Sequence, residues 1–151
     1  MSPAANDHPV LDLRGRRAVV TGASRGIGAA TVKLLAAAGA DVVVGYRARK
    51  TDADAVVEAA RAVGVRAVAC AADVATGAGA EALVKTGVDE LGGVDLFVGN
   101  AGIWPPENVP ISDMDDAQWH RTVRENLDSI FFTTRAITRA ISDGGRIVLV
   151  S

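Results

Sequence analysis

The chain has 151 residues, of which 49% are hydrophobic and 23% charged, with a formal net charge of −2. That is enough sequence to bury the core of one soluble globular domain, and it carries no basic excess that would point to nucleic acid or an anionic membrane as a partner. One cysteine, Cys70, rules out an intrachain disulfide; His8 and His120 lie far apart and leave no metal-ligating cluster; and no apolar run reaches the length of a membrane span. Residues 1–10 contain Pro3, Asn6, Asp7 and Pro9 but no apolar stretch, so they read as a disordered tail and not a signal peptide. A reducing cytoplasm is the expected setting.

From residue 11 onward the pattern alternates strand and helix. Arg17–Thr21, with the run Ala18-Val19-Val20, predicts a buried strand. The turn Gly22–Gly28 leads into a helix on which Ile27, Ala30, Thr31, Leu34, Leu35 and Ala38 recur at helical spacing, and Gly39 supplies a left-handed stop. Val42–Tyr46 predicts the second strand. A helix over Asp52–Val63 follows, capped by Thr51 or Asp52 and stopped at Gly64. The third strand is Arg66–Ala71. Ala80, Leu83, Val84, Val88 and Leu91 then mark a helix that ends at Gly92-Gly93, and Val94–Val98 is the fourth strand. Three prolines exclude regular structure between Trp104 and Pro110. Beyond them a long helix places Trp119, Val123, Leu127, Ile130, Phe131, Thr134, Ile137 and Ile141 on one face. Gly144-Gly145 is expected to end it, ahead of a fifth strand at Ile147–Val150.

Strands apolar on both sides, alternating with helices through short connections, imply right-handed βαβ crossovers and a parallel sheet covered on both faces. No repeat, low-complexity tract or linker interrupts residues 11–151, so they form one domain. The doubly wound α/β solution has strand order 3-2-1-4-5, with ligands at the switch point between strands 1 and 4.

Gly22, Gly26 and Gly28 fall directly after strand 1 and at the opening of a helix. Gly22 lets the chain turn off the strand, Gly26 removes a side chain where backbone must approach a pyrophosphate, and Gly28 permits close helix packing. Free N–H groups and the positive end of the helix dipole then face the anion. The alternative is a tight turn with nothing bound, but a strand before and a helix after favour a nucleotide site.

The octet Thr21-Gly22-Ala23-Ser24-Arg25-Gly26-Ile27-Gly28 resembles the signature of the short-chain dehydrogenase/reductase family. Further motifs agree in the same order: Asp73-Val74 after strand 3, Gly99-Asn100-Ala101-Gly102 after strand 4, Asn126-Leu127 in the long helix, and Gly145–Ser151 at strand 5. The resemblance covers about residues 11–151 and is similar to that of 3-oxoacyl-thioester reductases. It implies that Asp73 and Val74 hold the adenine, that Asn100, Ala101 and Gly102 contact the cofactor, and that Asn126 is the asparagine of the catalytic tetrad, helping to position a water for the proton relay. It also implies a homo-oligomer, a small carbonyl or alcohol substrate, and a nicotinamide-bearing Rossmann-type domain that here ends after the fifth strand. Trp104 and the Pro105-Pro106 loop lie just past the cofactor site, within reach of substrate.

An NAD-preferring enzyme of this topology usually carries an acid at the end of strand 2. Here that position is Tyr46, followed by Arg47. Together with Arg25, Arg49 and Lys50, Arg47 gathers positive charge where a 2′-phosphate would sit, with no competing acid nearby, so NADP(H) is expected over NAD(H). Tyr46 and Lys50 match a bare Tyr-x-x-x-Lys pattern, but on the adenosine side of the site; the family's pair lies on a helix after strand 5. Ser151 aligns with the first of the family's two small residues, and the reactive serine is usually the second. The 151 residues alone are therefore expected to bind cofactor without catalysing hydride transfer. Met114, Trp119 and Cys70 read as packing residues.

Overall fold

The computed structural model describes residues 11–104 and 109–151; the expected tail over 1–10 and the expected substrate contact at Pro105-Pro106 lie outside them. Strands β1 (Arg17–Val20), β2 (Asp41–Tyr46), β3 (Ala67–Ala71), β4 (Val94–Gly99) and β5 (Ile141–Leu149) pair in parallel in the order β3-β2-β1-β4-β5. Between them run α1 (Gly26–Ala37), α2 (Lys50–Arg61), α3 (Gly77–Leu91), and a long helix made of α4 (Asp116–Val123), a π-turn (Arg124–Asp128) and α5 (Ser129–Ile137). This is the doubly wound α/β sheet that the alternating pattern predicts.

Strands β1 to β4 feed two cores, because successive side chains point to opposite faces of a sheet. Ala18, Val20, Val42 and Val44 pack with Val32 and Ala36 of α1 and Val56 and Val57 of α2. Val19, Val43, Val94 and Phe97 pack on the other face with Leu83 and Val84 of α3 and Ile137 of α5. A fully buried valine or leucine contributes roughly 1.5–3 kcal/mol over an exposed one, which is why the central strands are apolar at nearly every position.

Three expectations are corrected. Helix α1 turns Gly28, Ala29, Val32 and Ala36 to the sheet, while Ile27 and Leu34 face solvent; the small residues let the helix sit close. Helix α2 begins at Lys50, ahead of Thr51 and Asp52, and no side chain caps it. The long helix does not keep one apolar face or reach Gly144-Gly145. A π-turn inserts an extra residue, which rotates the phase of everything after it. Glu125, Ser129, Thr133, Ala136 and Ile137 are buried, whereas Trp119, Leu127 and Phe131 are exposed. The helix stops at Ile137, and Ile141 instead opens β5 opposite Val94. Gly144-Gly145 therefore lie within β5, in the irregular stretch between the Val94↔Ile141 and Leu96↔Arg146 pairs.

At the N-terminal ends of the strands an ion pair locks β1 to β4. Asp95, only 5% exposed, accepts from the backbone N of Arg17 at 3.0 Å, from Nε at 2.8 Å and from Nη2 at 2.9 Å. Arg17 Nη2 also donates to Ser142 Oγ of β5 at 3.1 Å. The guanidinium holds the Asp95 carboxyl down to about 2 from an ordinary 3.8.

Candidate functional site

The site lies at the opposite, C-terminal edge of the sheet, where β1 and β4 diverge towards helices on different faces. A cleft of about 380 Å³ opens there, bounded by the glycine turn, the end of β2, the Ala72–Val74 loop, the Asn100–Ile103 loop, and Glu125 and Ser129 of the long helix. Of the residues singled out by sequence, Gly22, Ser24, Arg25, Gly26, Ile27, Tyr46, Arg47, Arg49, Asp73, Val74, Asn100, Ala101 and Gly102 line it, and Lys50 does not. Ala23 and Gly28 are buried, and Asn126 is not part of the lining.

The turn can be built only with glycine. Gly22 and Gly26 have φ of 61° and 56°, in the left-handed region that side chains disfavour. At Gly28 a Cβ would sit 2.4 Å from the Gly22 carbonyl oxygen and 2.6 Å from Asn100 Nδ2. The third glycine thus packs against the turn and Asn100 as well as allowing a close helix. Helix α1 then starts with no side-chain cap on Arg25 and no acid in its first turn. By contrast, α3 is capped by Thr76 and α4 by Asp115, and α2 has Asp52 in its first turn. The first N–H groups of α1 thus lack the acceptor that a helix start normally recruits.

Thr21 and Asn100 stitch the two loops of the switch point together. Thr21 Oγ1 accepts from the backbone N of Asn100 and of Ala101, both at 2.8 Å. Asn100 Nδ2 donates to the carbonyls of Thr21 and Gly22, each at 3.2 Å. Asn100 therefore braces the turn from behind as well as lining the cleft. Asp73 also does local work: Oδ1 accepts from Ala75 N at 3.1 Å, which fixes the turn that presents Val74.

The electrostatics differ from the expectation of a basic cluster without an opposing acid. Arg49 pairs with Asp52 at 3.3 Å and Lys50 with Asp54 at 2.6 Å, both within α2. Arg47 pairs across the cleft with Glu125, whose other carboxylate oxygen accepts from Arg124 at 2.9 Å. Arg25 is exposed, with no ion-pair partner among the described residues. The Lys50 ammonium is tied to Asp54, whose negative charge offsets it, so it is not a free cation available to lower the pKa of a tyrosine. The Tyr46–Lys50 pair is a coincidence of spacing.

The family model for short chain dehydrogenases matches residues 16–151. The chain belongs to this family. An uncharacterised oxidoreductase of Methylorubrum extorquens is 41% identical over 139 residues, which are 92% of this chain and 55% of that protein. A 3-oxoacyl-[acyl-carrier-protein] reductase of Synechocystis is 38% identical over 141 residues, 92% of this chain and 56% of that one. The crystal structure of a short chain dehydrogenase from Burkholderia cenocepacia in complex with NADP superposes with a TM-score of 0.85 at 39% identity, covering 91% of this chain and 55% of that one. The chain thus spans about half the length of the curated relatives it matches.

Against this family background, Asn126 stands at the centre of the π-turn. Its Oδ1 accepts from Ile103 N at 3.0 Å, and its Nδ2 donates to Ile103 O at 3.0 Å and to Thr122 O at 2.9 Å. The side chain clasps the loop after β4 to the irregular turn of the helix, which fixes the floor of the cleft. Trp104, beside that loop, is 92% exposed. Sequence reasoning did not assign the roles of Thr21 and Glu125. Thr21 is hidden as the last residue of an apolar strand, though a threonine before a glycine turn is a signal for such a brace. Glu125 gives no local signal, because its partner lies 78 positions away.

Proposed function

We propose that the cleft holds NADP(H), and that the protein of which these residues are part transfers hydride between the nicotinamide and a small carbonyl or alcohol substrate. The observation that carries this reading is the start of α1, which is uncapped and free of acid. It follows a glycine turn at the switch point, where a pyrophosphate would supply the missing acceptors. In this reading the residues present fit the group. Gly22–Gly28 with Ala23, Ser24 and Ile27 hold the pyrophosphate; Arg25, Arg47 and Tyr46 border the 2′-phosphate; Asp73 and Val74 flank the adenine; Asn100, Ala101 and Gly102 contact the cofactor from the β4 side. The bound dinucleotide supplies or accepts the hydride. Asn126 holds the floor and orients groups near the reacting centre; its amide neither gives nor takes a proton at neutral pH. The NADP complex of the Burkholderia relative and the reductase of Synechocystis support the NADP(H) and 3-oxoacyl-type assignments.

Residues 1–151 taken alone bind cofactor but do not turn over, in this reading. Tyr46, the only tyrosine, lies at the wrong end of the cofactor, and its Lys50 is tied to Asp54. A positioned acid typically contributes on the order of 10² to 10⁴ in rate, and donors to the developing oxyanion add more. The exposed stripe of Trp119, Leu127 and Phe131 suits contact with a second copy, and the lone Cys70 suits a reducing cytoplasm. Calorimetry with NADPH and NADH on the wild type and Arg47→Ala tests the cofactor assignment. The expected result is tighter NADPH, with about 1.5–3 kcal/mol lost in the variant; equal wild-type affinities, or no loss, would overturn it. A spectrophotometric assay of NADPH with ketones and 3-oxoacyl thioesters should show no turnover above a protein-free control.

A further inference from the structure

The cations expected around the 2′-phosphate are not equivalent. The Arg49–Asp52 and Lys50–Asp54 pairs join neighbours three and four residues apart at the start of α2, and both partners of each are about half exposed or more. Such pairs are weak and readily exchanged for water or another anion. The Arg47–Glu125 pair is of another kind. It joins the end of β2 to the π-turn of the long helix, and Glu125 is only 9% exposed. Apart from Asp73, Glu125 is the only acid lining the cleft among the described residues. A carboxylate so placed cannot simply turn to solvent when its partner leaves, and burial makes an uncompensated charge costly.

We infer that Glu125 is the resident counter-ion of Arg47, a specificity-determining carboxylate that a 2′-phosphate must displace and that a 2′-hydroxyl need not. The inference rests on the proposal that the cleft binds a nicotinamide dinucleotide. Arg47 offers five N–H donors in a planar fork suited to phosphate. One of them, on Nη1, is held by Glu125. Engaging the phosphate fully means freeing that donor, and it also brings a doubly charged anion towards a partly buried carboxylate. Both effects penalise NADP(H) and leave NAD(H) nearly untouched. Glu125 thus narrows the gap between the two cofactors that Arg47 would otherwise open, because only the ligand whose binding depends on the Arg47 fork must compete with it. Arg124 is the partner left to Glu125 once Arg47 is taken, and it keeps the displaced carboxylate from being wholly orphaned.

Calorimetric titration of the 151-residue protein with NADPH and NADH, and with adenosine 2′,5′-bisphosphate and AMP as adenosine-half probes, tests this. Glu125→Gln keeps the size and one acceptor but removes the charge. NADPH and the bisphosphate are expected to bind about tenfold tighter, with NADH and AMP within about twofold of wild type. In an Arg47→Ala background the gain from Glu125→Gln should shrink, because the part that comes from freeing the Arg47 fork is lost and only the repulsion between carboxylate and phosphate remains. Glu125→Asp keeps the charge but withdraws it by one methylene, and should gain in the same direction; it decides the matter if Glu125→Gln does not fold. Equal tightening of all four ligands, no change, weaker NADPH, or a gain undiminished by Arg47→Ala would overturn the inference. If the wild type binds NADPH while the Glu125 variants match it, this inference alone fails. If the wild type binds none of the four, the cofactor reading fails and takes the inference with it.

Discussion

Replacing Asp95 by asparagine removes the charge from the carboxylate that ties β1 to β4. Its oxygens accept from the backbone N, Nε and Nη2 of Arg17, and the group is almost wholly enclosed. Holding a carboxyl at about 2 in the folded chain, against 3.8 for the free group, corresponds to about 2.4 kcal/mol of stability. The sign follows from the depression. The contribution is fully present above pH 3.8 and is lost as pH falls through about 2, where the folded carboxylate takes up its proton. The amide of the Asp95→Asn variant does not titrate and has nothing to lose over that range. The variant should therefore be less stable than wild type by about 2–3 kcal/mol at pH 7, and the gap should close as pH falls towards 2. Asp12, also held at about 2 by Arg14, is exposed and present in both proteins, so it cancels from the difference. Urea unfolding followed by circular dichroism at pH 7, 5, 3 and 2.5 measures the gap directly. A gap that is the same at pH 7 and 2.5, or absent at pH 7, would refute the assignment of this stability to the Arg17–Asp95 pair.

Gly28→Ala places a methyl 2.4 Å from the Gly22 carbonyl and 2.6 Å from Asn100 Nδ2, so the turn must shift. The expected cost is about 1–3 kcal/mol in stability, with NADPH affinity by calorimetry falling by at least tenfold; a variant that binds as wild type would show that the turn is not the anion cradle. Leu127→Glu places charge in the exposed stripe of the long helix and should lower self-association in sedimentation velocity without lowering the melting temperature by more than a few degrees.

Where sequence reasoning succeeded, the information was local. A strand buried on both faces is mostly apolar, so Val42–Tyr46 and, but for Asp95, Val94–Val98 were legible from a handful of residues. The left-handed turns at Gly22 and Gly26 were legible because only glycine tolerates them. Where it failed, the deciding fact was non-local. Ile141 follows Ile137 at helical spacing, and nothing between them breaks a helix; it joins β5 because β4 offers Val94 as a pairing partner. The expected apolar face from Trp119 to Ile141 likewise keeps a regular period in sequence, while the π-turn breaks that period in space and leaves Ile137 buried but Trp119, Leu127 and Phe131 exposed.

The π-turn is also where fold and site meet. A regular α-helix over 124–128 would present its side chains with a different phase, and Asn126 could not then bond both Ile103 and Thr122 while Glu125, the residue before it, reaches Arg47. The irregularity aims two consecutive polar side chains at two different walls of one cleft, the loop after β4 and the end of β2. Neither target is close in sequence, and each shapes a different part of the cleft: the first sets its floor, the second the charge at the end of β2. A family motif reveals the first through Asn126. The second depends on which residue precedes that asparagine and which follows β2, so it belongs to this chain's own pairing of Glu125 with Arg47.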